Sequence, residues 1–108
     1  MAREQSDVLI KIKRAVLAGR YSFSDKAQME LADDGLDDID VVEAIANAMV
    51  IHKKIRSRSP LRQRQTEYLY VIQSTNLDGI FIYPKGKFVR VGDTELFYFL
   101  ISAKRSVY

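Results

Sequence analysis

The sequence predicts an α+β fold, with amino-terminal helices packed on one face of a carboxy-terminal antiparallel sheet. Two observations carry this. Apolar residues recur at helical spacing as far as Ala48, and beyond it the chain turns to runs of β-branched and aromatic residues separated by Asn, Asp and Gly. Because the helical segments precede the strands and do not alternate with them, the helices should cover one face of the sheet without forming βαβ units. No internal repeat or linker-like stretch interrupts the 108 residues, so 1–108 reads as a single domain.

In the first helix Val8, Leu9, Ile12, Ala15 and Val16 form the apolar stripe, and Gly19 supplies a left-handed stop. Residues 21–23 make a short extended piece. Ser24 can cap the free amides of a second helix, Asp25 sits near its positive end, and Gly35 ends it. Asp37 caps a third helix, with Leu36 and Val41 at the spacing of a hydrophobic staple and a buried stripe of Val41, Val42, Ile45 and Met49. Residues 50–55 then read as a strand running into a Ser/Arg/Pro-rich loop that ends near Gln65. Segments 68–74, 80–91 and 96–105 complete an antiparallel meander, with turns at Asn76-Leu77-Asp78-Gly79 and Gly92-Asp93.

A two-residue turn at Gly92-Asp93 sets Val91 opposite Thr94, Phe88 opposite Phe97 and Ile82 opposite Ala103. One face of that hairpin holds Ile82, Phe88, Phe97, Phe99 and Ile101 and is expected in the core. The other collects Tyr83, Lys85, Lys87, Tyr98, Ser102 and Lys104, and is the expected place for a site. A pairing shifted by one residue puts Lys85 and Lys87 on the face of Phe99 and Ile101, where unpaired ammonium groups are costly to bury, and with that pairing the expected site on this face fails.

Charge is distributed unevenly. Residues 1–54 hold eight Lys/Arg against ten Asp/Glu and residues 55–108 hold nine against four, so the halves carry −2 and +5. From Lys53 to Arg64 there are cations at Lys53, Lys54, Arg56, Arg58, Arg62 and Arg64 and no anion. Such a run is a footprint for a polyanion, or a solubilising loop. On the hairpin face, Lys85, Lys87, Lys104 and the adjacent Arg105 suit a phosphate backbone, and a tyrosine such as Tyr98 can stack on an unpaired base or relay a proton. If RNA is cleaved there, Glu67 or Tyr98 would serve as base.

With no cysteine, the chain has no disulfide framework, no Cys-based zinc site and no thiol nucleophile, and the single His52 cannot build a metal site alone. Asp33, Asp34, Asp37, Asp38 and Asp40 lack the spacing of a calcium loop and read as capping and solvation. There is no phosphate-binding Gly-rich motif and no Gly-x-Ser-x-Gly elbow, and neither metal nor cofactor is expected. The opening residues lack the apolar core of a secretory signal, and no apolar run approaches the roughly 20 residues of a membrane span. The expected location is the cytoplasm.

The segment Ser24-Asp25-Lys26-Ala27-Gln28-Met29-Glu30-Leu31, with Gly35-Leu36 and Asp40-Val41 after it, resembles a bacterial domain-of-unknown-function family that opens on Ser-x-His-Ala. The likeness continues to a last strand similar to Ile101-Ser102-Ala103-Lys104-Arg105, and covers about Leu9 to Arg105. That family is related to RelE/ParE-like toxins, including the BrnT type. The resemblance implies a RelE-like toxin-type fold, RNA binding or metal-independent endoribonuclease activity, and an acidic antitoxin as partner. It points to Lys26, Lys104 and Arg105 as site residues. Lys26 stands where the family has His, and Glu30 and Asp34 stand where it often has Arg. A lysine can neutralise a phosphate but is a poor acid–base partner at neutral pH. The alternative is a diverged, inactive relative whose sheet edge or basic face binds a protein partner or a second copy of itself.

Overall fold

The computed structural model describes residues 3–60, 67–92 and 95–106, with the side chains of 6–60, 67–92 and 96–106. Arg62 and Arg64, two of the expected RNA-contacting cations, lie outside the described residues, as does Thr94. Three helices, α1 (Arg3–Leu17), α2 (Asp25–Asp33) and α3 (Asp38–Asn47), come before most of a six-stranded sheet. Its strands are β1 (Tyr21–Phe23), β2 (Lys53–Arg56), β3 (Tyr68–Val71), β4 (Ser74–Thr75), β5 (Phe81–Val91) and β6 (Glu95–Arg105). The spatial order is β1-β6-β5-β3-β2, with β4 beside β5, and every pairing is antiparallel except β1 with β6. The α+β class and the layering of helices on a mostly antiparallel sheet are those read from the sequence. Among the described residues no helix is long and apolar enough to cross a membrane.

The helix ends follow from their capping residues. Beyond α1, Gly19 adopts φ +80°, and the amide of Arg20 returns to the carbonyl of Ala15 at 2.8 Å. At the start of α2 the Ser24 hydroxyl accepts from the Ala27 amide at 3.0 Å. Asp37 and Asp40 form a reciprocal capping box on α3, at 3.0 and 3.2 Å. The other end of α3 is closed from outside: Lys13 of α1 donates its ammonium to the carbonyls of Ala46 and Ala48. Ala48 has already turned extended, so α3 stops two residues short of Met49, the end of the expected stripe. Met49 is 85% exposed, and Ala44 and Ala48 are buried in its place.

The last hairpin departs from the predicted register. Val91 pairs with Glu95, leaving residues 92–94 between them, one more than a two-residue turn allows. Phe88 then faces Tyr98 and Lys87 faces Phe99. Since side chains alternate, a one-residue slip exchanges the faces. Tyr98 and Leu100 enter the core at 0% exposure, while Phe97 and Phe99 lie half-buried on the face of Lys87. The physical reason is at Gly86. A Cβ there would stand 2.7 Å from the Tyr98 ring and from the Phe99 carbonyl oxygen, so the missing side chain leaves the notch that the tyrosine fills. Around it Phe88 meets Tyr98 at 5.5 Å and Tyr70 at 6.1 Å between ring centroids, both edge to face.

A second irregularity restores part of the expected arrangement. Gly86 pairs with Leu100 but Lys85 pairs with Ser102, so Ile101 is an extra residue on β6. Past this bulge, Ser102 and Lys104 return to the face of Tyr83 and Lys85. Ala103 takes the core side, fully buried with Ile82. Each large apolar side chain buried this way contributes about 1.5–3 kcal/mol before conformational entropy is charged.

Gly86→Ala is expected to lower stability by about 2 kcal/mol, because the added methyl meets a backbone oxygen and a packed ring and neither has room to retreat. Urea unfolding monitored by circular dichroism checks it, and a midpoint unchanged from wild type contradicts the packing described.

Candidate functional site

On the sheet face opposite the buried Ile82, Leu100 and Ala103, a groove of about 440 Å³ opens between β2, β5, β6 and the start of α2. Alternation along β5 presents Tyr83 and Lys85 to it, and the bulged end of β6 presents Lys104 opposite Tyr83 and Ser102 opposite Lys85. Val71 of β3 lies between Lys53 and Lys85 in the ladder and forms an apolar floor with Ile55. Lys26 reaches the groove from α2, Lys53 from β2, and Arg105 and Ser106 from the end of β6. Among the described residues, five cations line it: Lys26, Lys53, Lys85, Lys104 and Arg105.

The helical wall of the groove has a specific cause. β1 ends at Phe23, and from there α2 takes over the edge of β6. The Ser24 amide donates to Leu100 at 2.9 Å, and the Ser24 hydroxyl donates to the Ile101 carbonyl at 2.8 Å while it caps the helix. Nearly two helical turns on, Glu30 accepts from the Ala103 amide at 3.1 Å, and about one turn further Asp34 accepts from the Arg105 amide at 2.9 Å. Four residues of helix rise ~6 Å and two residues of strand ~6.7 Å, so carboxylates at i and i+4 match alternate amides of a strand edge.

Glu30 is the most heavily engaged acid at the site. Besides the Ala103 amide it accepts the Ser102 hydroxyl at 2.7 Å and pairs with the Lys104 ammonium at 3.3 Å, with its side chain 14% exposed. Burial pushes this carboxyl up. The hydrogen bonds of Ser102 and Ala103 and the charge of Lys104 together outweigh burial and hold it below its ordinary value. The anionic form is the one this environment keeps. It offsets part of the positive charge of Lys104 and draws the Ser102 hydroxyl proton toward itself.

The residues singled out from sequence divide into three groups. Lys26, Lys85, Lys104 and Arg105 converge on the groove. Arg56 and Arg58 are exposed but do not line it. Lys87, expected beside Lys85, is 13% exposed and pairs with the buried Glu67 at 3.1 Å. Tyr98, expected on the open face as a stacking ring or proton relay, is instead a core residue. Burial foremost, then the neighbouring Tyr70, raises its phenol far above the ordinary value, so it stays protonated. Lys53 belongs to the groove although it was read only as part of a charged run. His52 is exposed, and its ring meets Tyr83 edge-on at 5.9 Å and 84°.

Comparison of the chain with protein-family profiles, with curated proteins and with solved structures found no significant match.

Glu30→Gln tests the wall of the groove. The folded carboxyl lies below its ordinary value of 4.5, so its contribution to stability is complete above that pH and is lost as pH falls through the lower folded value. Replacement is expected to cost about 1.5 kcal/mol at neutral pH and less under acid conditions, where wild type has lost the same interaction. Thermal melts at neutral and acidic pH measure this, and a variant as stable as wild type at both would remove Glu30 from the account.

Proposed function

We propose that this protein binds RNA through the basic groove, with Lys26, Lys53, Lys85, Lys104 and Arg105 set against its phosphates. The observation that carries the reading is convergence: four separate elements bring five cations to one concave surface, and the acid nearest to them is already held by three donors. Charged side chains on unrelated elements repel one another when gathered, so their assembly favours a ligand that supplies negative charge. The resemblance carried by the segment from Ser24 to Leu31 and by the last strand supports the same direction.

Binding is the part of that resemblance to which the geometry lends support. Cleavage without a metal needs a proton acceptor beside the phosphate. Of the two side chains considered for that role, Tyr98 is inside the core and Glu67 is buried against Lys87. An antitoxin, if one exists, would compete for the same cations. Self-association through the β2 edge is disfavoured because Lys53, Lys54 and Arg56 would face their own copies.

Measured by fluorescence anisotropy across a salt series, RNA affinity is expected to fall with a log–log slope of about −0.7 per phosphate neutralised. Lys85→Ala and Lys104→Ala should each weaken binding and shallow that slope by about 0.7, whereas Arg58→Ala should do neither. Binding indifferent to Lys85 and Lys104 would remove the groove from the interaction. In parallel, end-labelled RNA incubated in EDTA is expected to remain intact. Fragments that vanish in the Lys104→Ala/Arg105→Ala variant would replace the binding reading with a ribonuclease.

A further inference from the structure

Along β5, in the groove at Tyr83 and just outside its lining at Phe81, there is a feature that phosphate binding does not use. Ile82 and Pro84 of β5 are buried in the core, so the alternate residues Phe81, Tyr83 and Lys85 share the open face. Phe81 is 48% exposed at the strand's outer end, beside Ser106, whose amide donates to the Phe81 carbonyl at 2.9 Å. Tyr83 is half-buried, lines the groove, and is braced edge-on by His52. A single exposed phenylalanine needs no explanation. The sequence of two rings and an ammonium on one face, with Lys104 across from Tyr83, is a different matter.

We infer that the groove takes single-stranded RNA, with Tyr83 and Phe81 as platforms for two successive unpaired bases while Lys85 and Lys104 hold the backbone. This rests on the RNA reading above. Alternate side chains on a strand stand ~6.7 Å apart, a step that an extended nucleotide chain can follow and a stacked helix, with its closely spaced bases, cannot. In a duplex the base faces are occupied by their neighbours, so aromatic rings on a sheet have nothing to stack against. The His52 ring stands at 84° to that of Tyr83 and so is not stacked flat on it. Rings recognise any base by its π-face, so the strand form is selected and the sequence is not.

The test uses the full chain and three fluorescent probes: a short single-stranded oligoribonucleotide, a hairpin duplex of the same composition, and a strand of the same length lacking bases. Wild type should bind the single strand about tenfold more tightly than either of the others. Phe81→Ala and Tyr83→Ala should each lose about tenfold on the single strand, leave the base-free strand unchanged and keep the wild-type salt slope. Tyr83→Phe, which retains the ring, should bind as wild type does, and circular dichroism of each variant separates lost stacking from lost folding. Equal binding of all three probes, or folded alanine variants that bind normally while Lys85→Ala and Lys104→Ala do not, overturns the stacking inference and leaves RNA binding standing. No binding of any probe overturns both.

Discussion

Everything on the carboxy-terminal hairpin depends on where one tyrosine goes. With Tyr98 seated over Gly86, the ladder between β5 and β6 is phased so that Phe88, Tyr98 and Leu100 face the helices. Lys85 and Lys87 face away from them. The register chosen is the one that seemed costly when only hydrophobicity was counted, since it leaves Phe97 and Phe99 beside lysines. Two local features lift the cost. Lys87 is compensated by Glu67, and the glycine notch lets a large aromatic ring pack at full density where a flat strand would have excluded it. Without the bulge at Ile101, the same phase would have carried Ser102 and Lys104 into the core. The bulge is what lets one strand be core at Tyr98 and Leu100 and site at Ser102 and Lys104.

The wall contributed by α2 resolves a second conflict. Among the described residues the far end of β6 has no strand beside it on that side, and an uncovered edge leaves amides without acceptors and invites pairing with another chain. A helix laid along a strand cannot offer backbone carbonyls, because its own amides use them. Side-chain carboxylates can do so, and Glu30 and Asp34 supply them. The consequence is negative charge at the margin of a basic groove. At Glu30 that charge is largely compensated by its three donors, so the acid organises Ser102 and Lys104 more than it repels an incoming anion.

The layered α+β plan, the helix caps at Ser24 and Asp37 and the stop at Gly19 were legible because they depend on local chemistry and short spacings. The convergence of Lys26, Lys85, Lys104 and Arg105 was partly legible, since alternation and a family-like segment both pointed to them. The hairpin register was not. It is decided by a loop one residue longer than the simplest turn, by a bulge and by a glycine that matters only once its opposite residue is known. Pairwise alternation carries no information about any of these, and a single slip moved Tyr98 from the open face to the core. The parallel pairing of β1 with β6 was also hidden, because a three-residue strand has too few side chains to show a pattern. Lys53 was invisible as a groove residue for a similar reason, being brought there by the β2–β3 ladder and not by its neighbours in sequence.

The chemistry of the cations and that of the rings agree. Four of the five groove cations are lysines, compact charges that attract a phosphate without the planar fork by which arginine grips one oxygen pair or reads a guanine edge. In the proposed complex a groove built this way would hold a backbone in several registers and leave the base edges unread. Tyr83 and Phe81, as proposed platforms, would impose the same tolerance, because stacking depends on a free base face and hardly on which base provides it. A surface made to read a sequence would place several amide or guanidinium groups within reach of base edges, whereas among the described residues this groove has one guanidinium, Arg105, and otherwise hydroxyls at Tyr83, Ser102 and Ser106, of which Ser102 is turned toward Glu30. Selectivity in the proposed complex therefore comes from strand form and flexibility, and any preference among sequences follows from how readily each one unstacks.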